Sequence, residues 1–185
     1  MLSHDGSDLA AALQTILEVG DGEGLLEEVA RAFSGADLIV DYPKPLPPNA
    51  PPELRKEGFS IFLKNSGLTR LLTAAELSDG TLRYLCLLAA LMSPRPPKLL
   101  ALNEPETSLH PDLLDGLARM IVRACNYSQM WVTTHSTRLA ELIEQYSVEP
   151  AIRLELINGE TKVVGQKVLG RKQPREKAEP SETRE

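Results

Sequence analysis

Apolar residues in the first part of the chain recur at helical spacing. Leu9, Leu13, Ile16 and Leu17 fall on one face of a helix that Ser7 or Asp8 can cap and Gly20 stops. A second amphipathic helix is predicted over Glu23 to Phe33, with Leu26, Val29 and Phe33 inward and Gly35 closing it. Leu38-Ile39-Val40 reads as a short strand. It runs into Pro43, Pro45, Pro47, Pro48, Pro51 and Pro52, which exclude helix interior and central strand alike and predict an extended surface loop. Phe59 to Lys64 alternates as a strand does, and Asn65-Ser66-Gly67 is a turn.

Past Leu77 the pattern changes. Thr81 to Met92 is apolar nearly all round, which predicts a buried helix entered from Ser78-Asp79-Gly80. Ser93-Pro94-Arg95-Pro96-Pro97 breaks it. The run Lys98-Leu99-Leu100-Ala101-Leu102 then ends abruptly in Asn103-Glu104-Pro105, the pattern of a buried parallel strand. Pro111 suits the first turn of a helix carrying Leu113, Leu117, Met120, Ile121 and Ala124 on one side. Gln129 to Thr134 is a second apolar strand, ending in Thr133-Thr134-His135-Ser136, and a short helix over Thr137 to Gln145 follows. Strand, helix, strand makes a βαβ unit with parallel strands, so Glu104 and His135 belong at the same sheet edge. Ligands of such sheets bind beyond the carboxyl ends of the strands. Further on, Asn158-Gly159-Glu160 between Ile152 to Ile157 and Thr161 to Val164 signals a hairpin. The residues from Arg171 onward lack large apolar side chains and predict a disordered tail.

Composition narrows the picture. A net charge of −6 argues against a broad nucleic-acid surface. Cys86 and Cys125 lie in apolar, helix-like contexts, as two buried thiols in a reducing compartment would. No basic segment opens the chain, and the apolar run from Tyr84 to Met92 is far short of a bilayer span, so a cytoplasmic protein is expected.

Three elements carry the chemistry: Leu77-Ser78-Asp79-Gly80-Thr81-Leu82-Arg83, then Leu99 to Pro111, then Thr133-Thr134-His135-Ser136. Singly they are weak. A Ser-x-Gly before a helix is most often only a cap, and a lone histidine after a strand is more often structural than catalytic. In this order and spacing, however, they resemble the C-terminal half of an ABC-type ATPase of the RecF and structural-maintenance-of-chromosomes (SMC) branch. The likeness is greatest to predicted AAA-type ATPases whose signature reads Leu-Ser-Asp-Gly-Thr-Leu-Arg.

The resemblance covers Leu77 to Leu142 and implies an α/β fold: a P-loop NTPase-like parallel-sheet fragment with N-terminal helices and a C-terminal β-hairpin. It implies a helical and proline-rich lead-in over 1–76, an ATPase core over 77–145, the hairpin over 146–170 and the tail over 171–185. It also implies ATP and Mg²⁺ as cofactors. Ser78 and Gly80 match the signature that meets the γ-phosphate held by an opposite protomer. Glu104 ends the Walker B strand as the residue that orients and deprotonates the attacking water. Asn103 and Glu104 stand on the metal side, Ser108 in the loop that communicates across the dimer, and His135 as the switch histidine.

Two departures matter. Position 103 is an amide where the family usually has an acid, which contributes no charge to a hard cation; Glu104 and Glu106 are the candidates to compensate. No Gly-x-x-x-x-Gly-Lys-Ser/Thr occurs in the 185 residues, since Gly20, Gly22 and Gly24 lack the following lysine. The isolated chain is therefore expected to be inactive, with the Walker A lobe on a separate polypeptide or lost from a truncated gene. The expected partner is that lobe or a second copy, with nucleic acid reached only through an assembly and no membrane. The competing expectation is a degenerate, non-catalytic interaction or dimerisation module of the same fold. Glu104 and Glu106 alone are too few for an independent metal nuclease site.

Overall fold

The computed structural model describes residues 8–41, 60–65, 67 and 69–164. Ser7, the proline-rich segment 42–59 with Phe59, and the tail over 171–185 lie outside the described residues. The chain divides into two compact units, residues 1–149 and 150–185.

The first unit opens with α1 (Leu9–Val19) and α2 (Gly22–Ala32). Asp21 caps α2 by accepting from the Gly24 N–H, while the Asp8 side chain does not cap α1. On α2 the inward residues are Leu25 and Val29; Leu26, expected inside, is 40% exposed. A helix buries a stripe, and adjacent leucines lie about 100° apart around it, so packing against α1 selects one of them.

Three antiparallel strands follow in spatial order: β1 (Asp37–Asp41), β2 (Ser60–Lys64) and β3 (Leu72–Thr73). Leu38 pairs with Leu63 and Val40 with Ile61. A 3₁₀ turn over Ala74–Glu76 leads on, with Glu76 accepting from the Thr73 N–H and hydroxyl.

Helix α3 (Asp79–Leu91) carries Tyr84, Leu85 and Leu88 into the core beside Leu13 and Ile16 of α1 and Val29 of α2. It is not sealed on every side: Cys86 and Leu87 are half-buried. Burial, and secondarily the Asp8 carboxylate, pushes the Cys86 thiol pKa up. Cys125 does not follow the expectation of a buried thiol. It closes the C-terminus of α4 (Leu114–Ala124), is exposed, and donates from Sγ to the Ile121 carbonyl at 3.4 Å.

The βαβ unit forms as the pattern predicts. β4 (Leu99–Asn103) pairs in parallel with β5 (Gln129–Thr133), from Leu99 beside Gln129 to Asn103 beside Thr133. Between them run a 3₁₀ turn at Pro111–Leu113 and α4, and α5 (Thr137–Tyr146) follows β5. Leu100, Leu102, Met130 and Val132 pack on the core. The opposite face is open: Leu99 is 54% and Trp131 65% exposed. The run read as a strand buried on both faces is thus covered on one only. Among the described residues β4 and β5 pair only with each other.

The second unit contains a hairpin of β6 (Arg153–Ile157) and β7 (Glu160–Val164). Asn158 and Gly159 turn at φ 52° and 81°, as a type I′ turn requires.

Candidate active site

The site is built where α3, the end of β4 and the end of β5 meet. β4 terminates at Asn103, and the Glu104 N–H extends the ladder by donating to the Thr133 carbonyl at 2.8 Å. Glu104 then turns into the left-handed region at φ 45°. A non-glycine residue there is strained by about 1–2 kcal/mol, and a fixed turn must hold it. Two bonds do so: Thr107 N–H and Arg83 Nη2 donate to the Glu104 carbonyl at 3.1 and 3.0 Å. The result aims the Glu104 side chain at the end of β5, where Oε1 lies 3.1 Å from His135 Nε2. The imidazole is 89% exposed and the carboxylate 41%. Both groups therefore remain accessible to a third reactant.

The neighbouring carboxylate is turned elsewhere. Glu106 Oε1 accepts from the Thr134 hydroxyl and from the His135 and Ser136 N–H groups, the latter two at 3.2 Å. Asn103 Oδ1 accepts from the Thr133 hydroxyl at 2.7 Å on the open face of the sheet.

The N-terminus of α3 comes to the same place. Ser78 is its N-cap: Oγ accepts from Thr81 N–H at 3.1 Å and lies 2.9 Å from the Thr81 hydroxyl. Its side chain is thus engaged within its own helix turn. Gly80 packs directly on the loop after β4, and a Cβ there would stand 2.5 Å from the Ser108 carbonyl oxygen. Ser108 is itself left-handed, at φ 66°. Gly80 and Arg83, three residues apart on one helix face, thus grip the loop at Ser108 and Glu104 respectively.

All six sequence-predicted residues therefore lie in this region, but they divide into separate contacts. Glu104 meets His135, Asn103 meets Thr133, Gly80 meets Ser108, and Ser78 caps its helix. The residues that sequence reasoning passed over are Arg83 and Thr133, and the backbone-facing role of Glu106. Arg83 was inside the signature itself; its spacing from Gly80 was the available signal.

A hard divalent cation prefers about six oxygen ligands in near-octahedral array. Among the described residues no group of three or more His, Cys, Asp or Glu side chains is placed to hold a metal. With Asn103 bonded to Thr133 and Glu106 to the loop after β5, these residues do not by themselves fit a Mg²⁺ site. Nor does the sequence provide a phosphate loop for ATP; the N-terminus of α3 is the element oriented as an anion site would be.

Solved structures similar to this chain include SMC ATPase heads. A chain from work on ATP-driven dimerisation and DNA-stimulated activation of SMC ATPases superposes with a TM-score of 0.55 at 16% identity, covering 83% of this chain and 84% of that one. An Smc head bound to the C-terminal winged-helix domain of ScpA gives 0.58 at 17%, over 83% and 43%. The Pyrococcus yayanosii Smc head with a coiled coil and joint gives 0.56 at 18%, over 82% and 26%, so the chain spans less than half of each of those last two. The fold is P-loop NTPase-like, matching that of SMC ATPase heads.

Within that class, a family profile described as "AAA domain, putative AbiEii toxin, Type IV TA system" matches residues 8–141. The chain belongs to that family. No curated protein matches the sequence. Among the described residues no helix is long and apolar enough to cross a membrane.

Proposed function

We propose that this chain supplies the signature, Walker B and switch elements of a composite ATPase site, completed by a phosphate-loop lobe from elsewhere. The observation that carries this reading is the 3.1 Å approach of Glu104 Oε1 to His135 Nε2 at the carboxyl edge of a parallel sheet. A carboxylate held there by a strained turn is suited to orient an attacking water and take its proton. His135, exposed beside it, offers a hydrogen bond to a phosphoryl oxygen. Ser78 and Gly80 present the start of α3 to the anion of an opposing protomer, and Ser108 links that helix to the Glu104 turn. When bound, Mg²⁺ supplies charge neutralisation of the phosphates. A completing lobe would have to provide its ligands, and Asn103 and Glu104 could at most bond metal-bound water.

The SMC heads described by ATP-driven dimerisation and DNA-stimulated activation support a dimeric, ATP-dependent assembly, the one setting in which this chain would reach nucleic acid. The test is ATP turnover after mixing this chain with a phosphate-loop lobe. The expected result is hydrolysis absent from either part alone and lowered about 100-fold or more by Glu104→Gln. Equal rates before and after mixing, or an unchanged rate in the variant, would overturn it.

A second reading has its own support. Asn103 is neutral, and Leu99 and Trp131 lie open on the sheet face. A degenerate module that uses this surface only for association would show assembly without nucleotide and no turnover in any mixture.

A further inference from the structure

We propose that Glu106 is the positioning residue of the switch histidine, acting on His135 through its backbone while Glu104 holds its ring. This rests on the composite-site reading for its catalytic consequence. Its structural content stands on the contacts alone.

One oxygen, Glu106 Oε1, gathers donors from three consecutive residues: the Thr134 hydroxyl and the N–H groups of His135 and Ser136. Those N–H groups immediately precede α5, whose cap is Ser136 Oγ accepting from Leu139 N–H at 3.1 Å. An anion is favoured at that position, because the first amides of a helix have no acceptor within it and the helix dipole is positive there. Thr134 is drawn into the same knot, since its hydroxyl also accepts from Ser136 N–H at 2.9 Å. On its own side Glu106 is fixed. It follows the fully buried Pro105, and its carbonyl accepts from Leu109 N–H at 3.0 Å.

Two carboxylates two residues apart in one turn therefore hold one histidine at both ends. The carboxylate of Glu106 sets where the backbone of residue 135 leaves β5. That placement fixes where Nε2 stands against Glu104. Glu106 is accordingly not a substitute for the missing acid at position 103.

The experiment combines amide exchange with a mutant cycle. In the 185-residue chain, Glu106→Ala should speed exchange of the His135 and Ser136 amides about tenfold or more, leaving α3 amides unchanged. Glu106→Gln, which keeps an acceptor oxygen, should stay within about threefold of wild type. Glu106→Asp retains the charge on a shorter stem and should also loosen both amides, which preserves the test if the alanine variant does not fold. In the complemented ATPase, Glu106→Ala should lower kcat about tenfold with KM for ATP within about twofold. In a His135→Ala background the same change should cost less than about twofold, because the residue it acts through is gone. Unaltered exchange at both amides in the alanine or aspartate variant, or an undiminished loss of kcat in the His135→Ala background, would overturn the assignment. If the wild-type mixture shows no turnover, the composite-site reading falls, and the exchange experiment still decides whether Glu106 holds the loop.

Discussion

Tyr84 shows how much a single side chain can commit a fold to. It is 1% exposed, and its ring meets Phe33 edge-on at 5.7 Å. Its hydroxyl is buried with no hydrogen-bond partner among the described residues. Burial, and after it the Glu28 carboxylate, pushes the phenol pKa to about 12. The folded chain therefore keeps this proton above pH 10, where the unfolded chain releases it. Stability from Tyr84 is whole below pH 10 and is lost as pH rises toward about 12. Tyr84→Phe should remove that part of the alkaline decline and, having no hydrogen bond to break, change neutral stability by less than about 1 kcal/mol. Tyr146, raised by its hydrogen bond to Asp115, leaves a residual decline. Urea unfolding from neutral to alkaline pH measures both effects.

The same hydroxyl explains Gly116, where an added Cβ would stand 2.5 Å from it. Gly116→Ala alone should destabilise by about 1–3 kcal/mol through overpacking. Combined with Tyr84→Phe, most of that loss should disappear, since helix propensity favours alanine by about 1 kcal/mol. Additive losses in the double variant would contradict this contact.

At the scale of elements, α3 and the loop after β4 act as one piece. Gly80 lies against the Ser108 carbonyl and Arg83 donates to the Glu104 carbonyl, so displacing either shifts the turn that carries Glu104. Gly80→Ala puts a methyl against backbone, which cannot swing aside as a side chain can. It should destabilise by about 1–2 kcal/mol and move the Ser108 and Leu109 amide resonances. Gly67→Ala, with nothing among the described residues within 4 Å, is the control and should be silent. Much of these elements was legible beforehand. Ser78 as a cap, Pro111 at a helix start and Asn158-Gly159 at a hairpin are local devices whose chemistry is set by adjacent backbone. The capping box from Thr73 to Glu76 was equally local and was passed over. The Arg83 and Glu106 bonds were not legible, because their partners lie 21 and 28 to 30 residues away. Packing of α3 against the end of β4 brings the first pair together, and the crossover from β4 to β5 the second.

For the whole molecule, the open face of β4 and β5 is the outstanding feature. Parallel sheets are normally covered on both sides. Here the single tryptophan of the chain, Trp131, is 65% exposed on that face and serves as its reporter. Its emission should be that of a hydrated indole, readily quenched by acrylamide. On complementation by a phosphate-loop lobe it should shift to the blue and lose about half or more of its quenching, as a buried aromatic does. An unchanged spectrum in an active mixture would show that the lobe docks away from this face.

The sequence by itself determined the order of elements, the βαβ unit, the hairpin and the clustering of Asn103, Glu104 and His135 at one sheet edge. Those follow from local periodicity, turn chemistry and the parallel geometry that a helical crossover imposes. Which leucine of α2 faces inward, which face of β4 is covered, and which of two carboxylates meets the histidine ring were decided only by tertiary structure. Each is a choice between near-equivalent local options, such as Leu25 against Leu26 or Glu104 against Glu106. Packing and long-range hydrogen bonds choose between such options, because neither is encoded in any short stretch of chain.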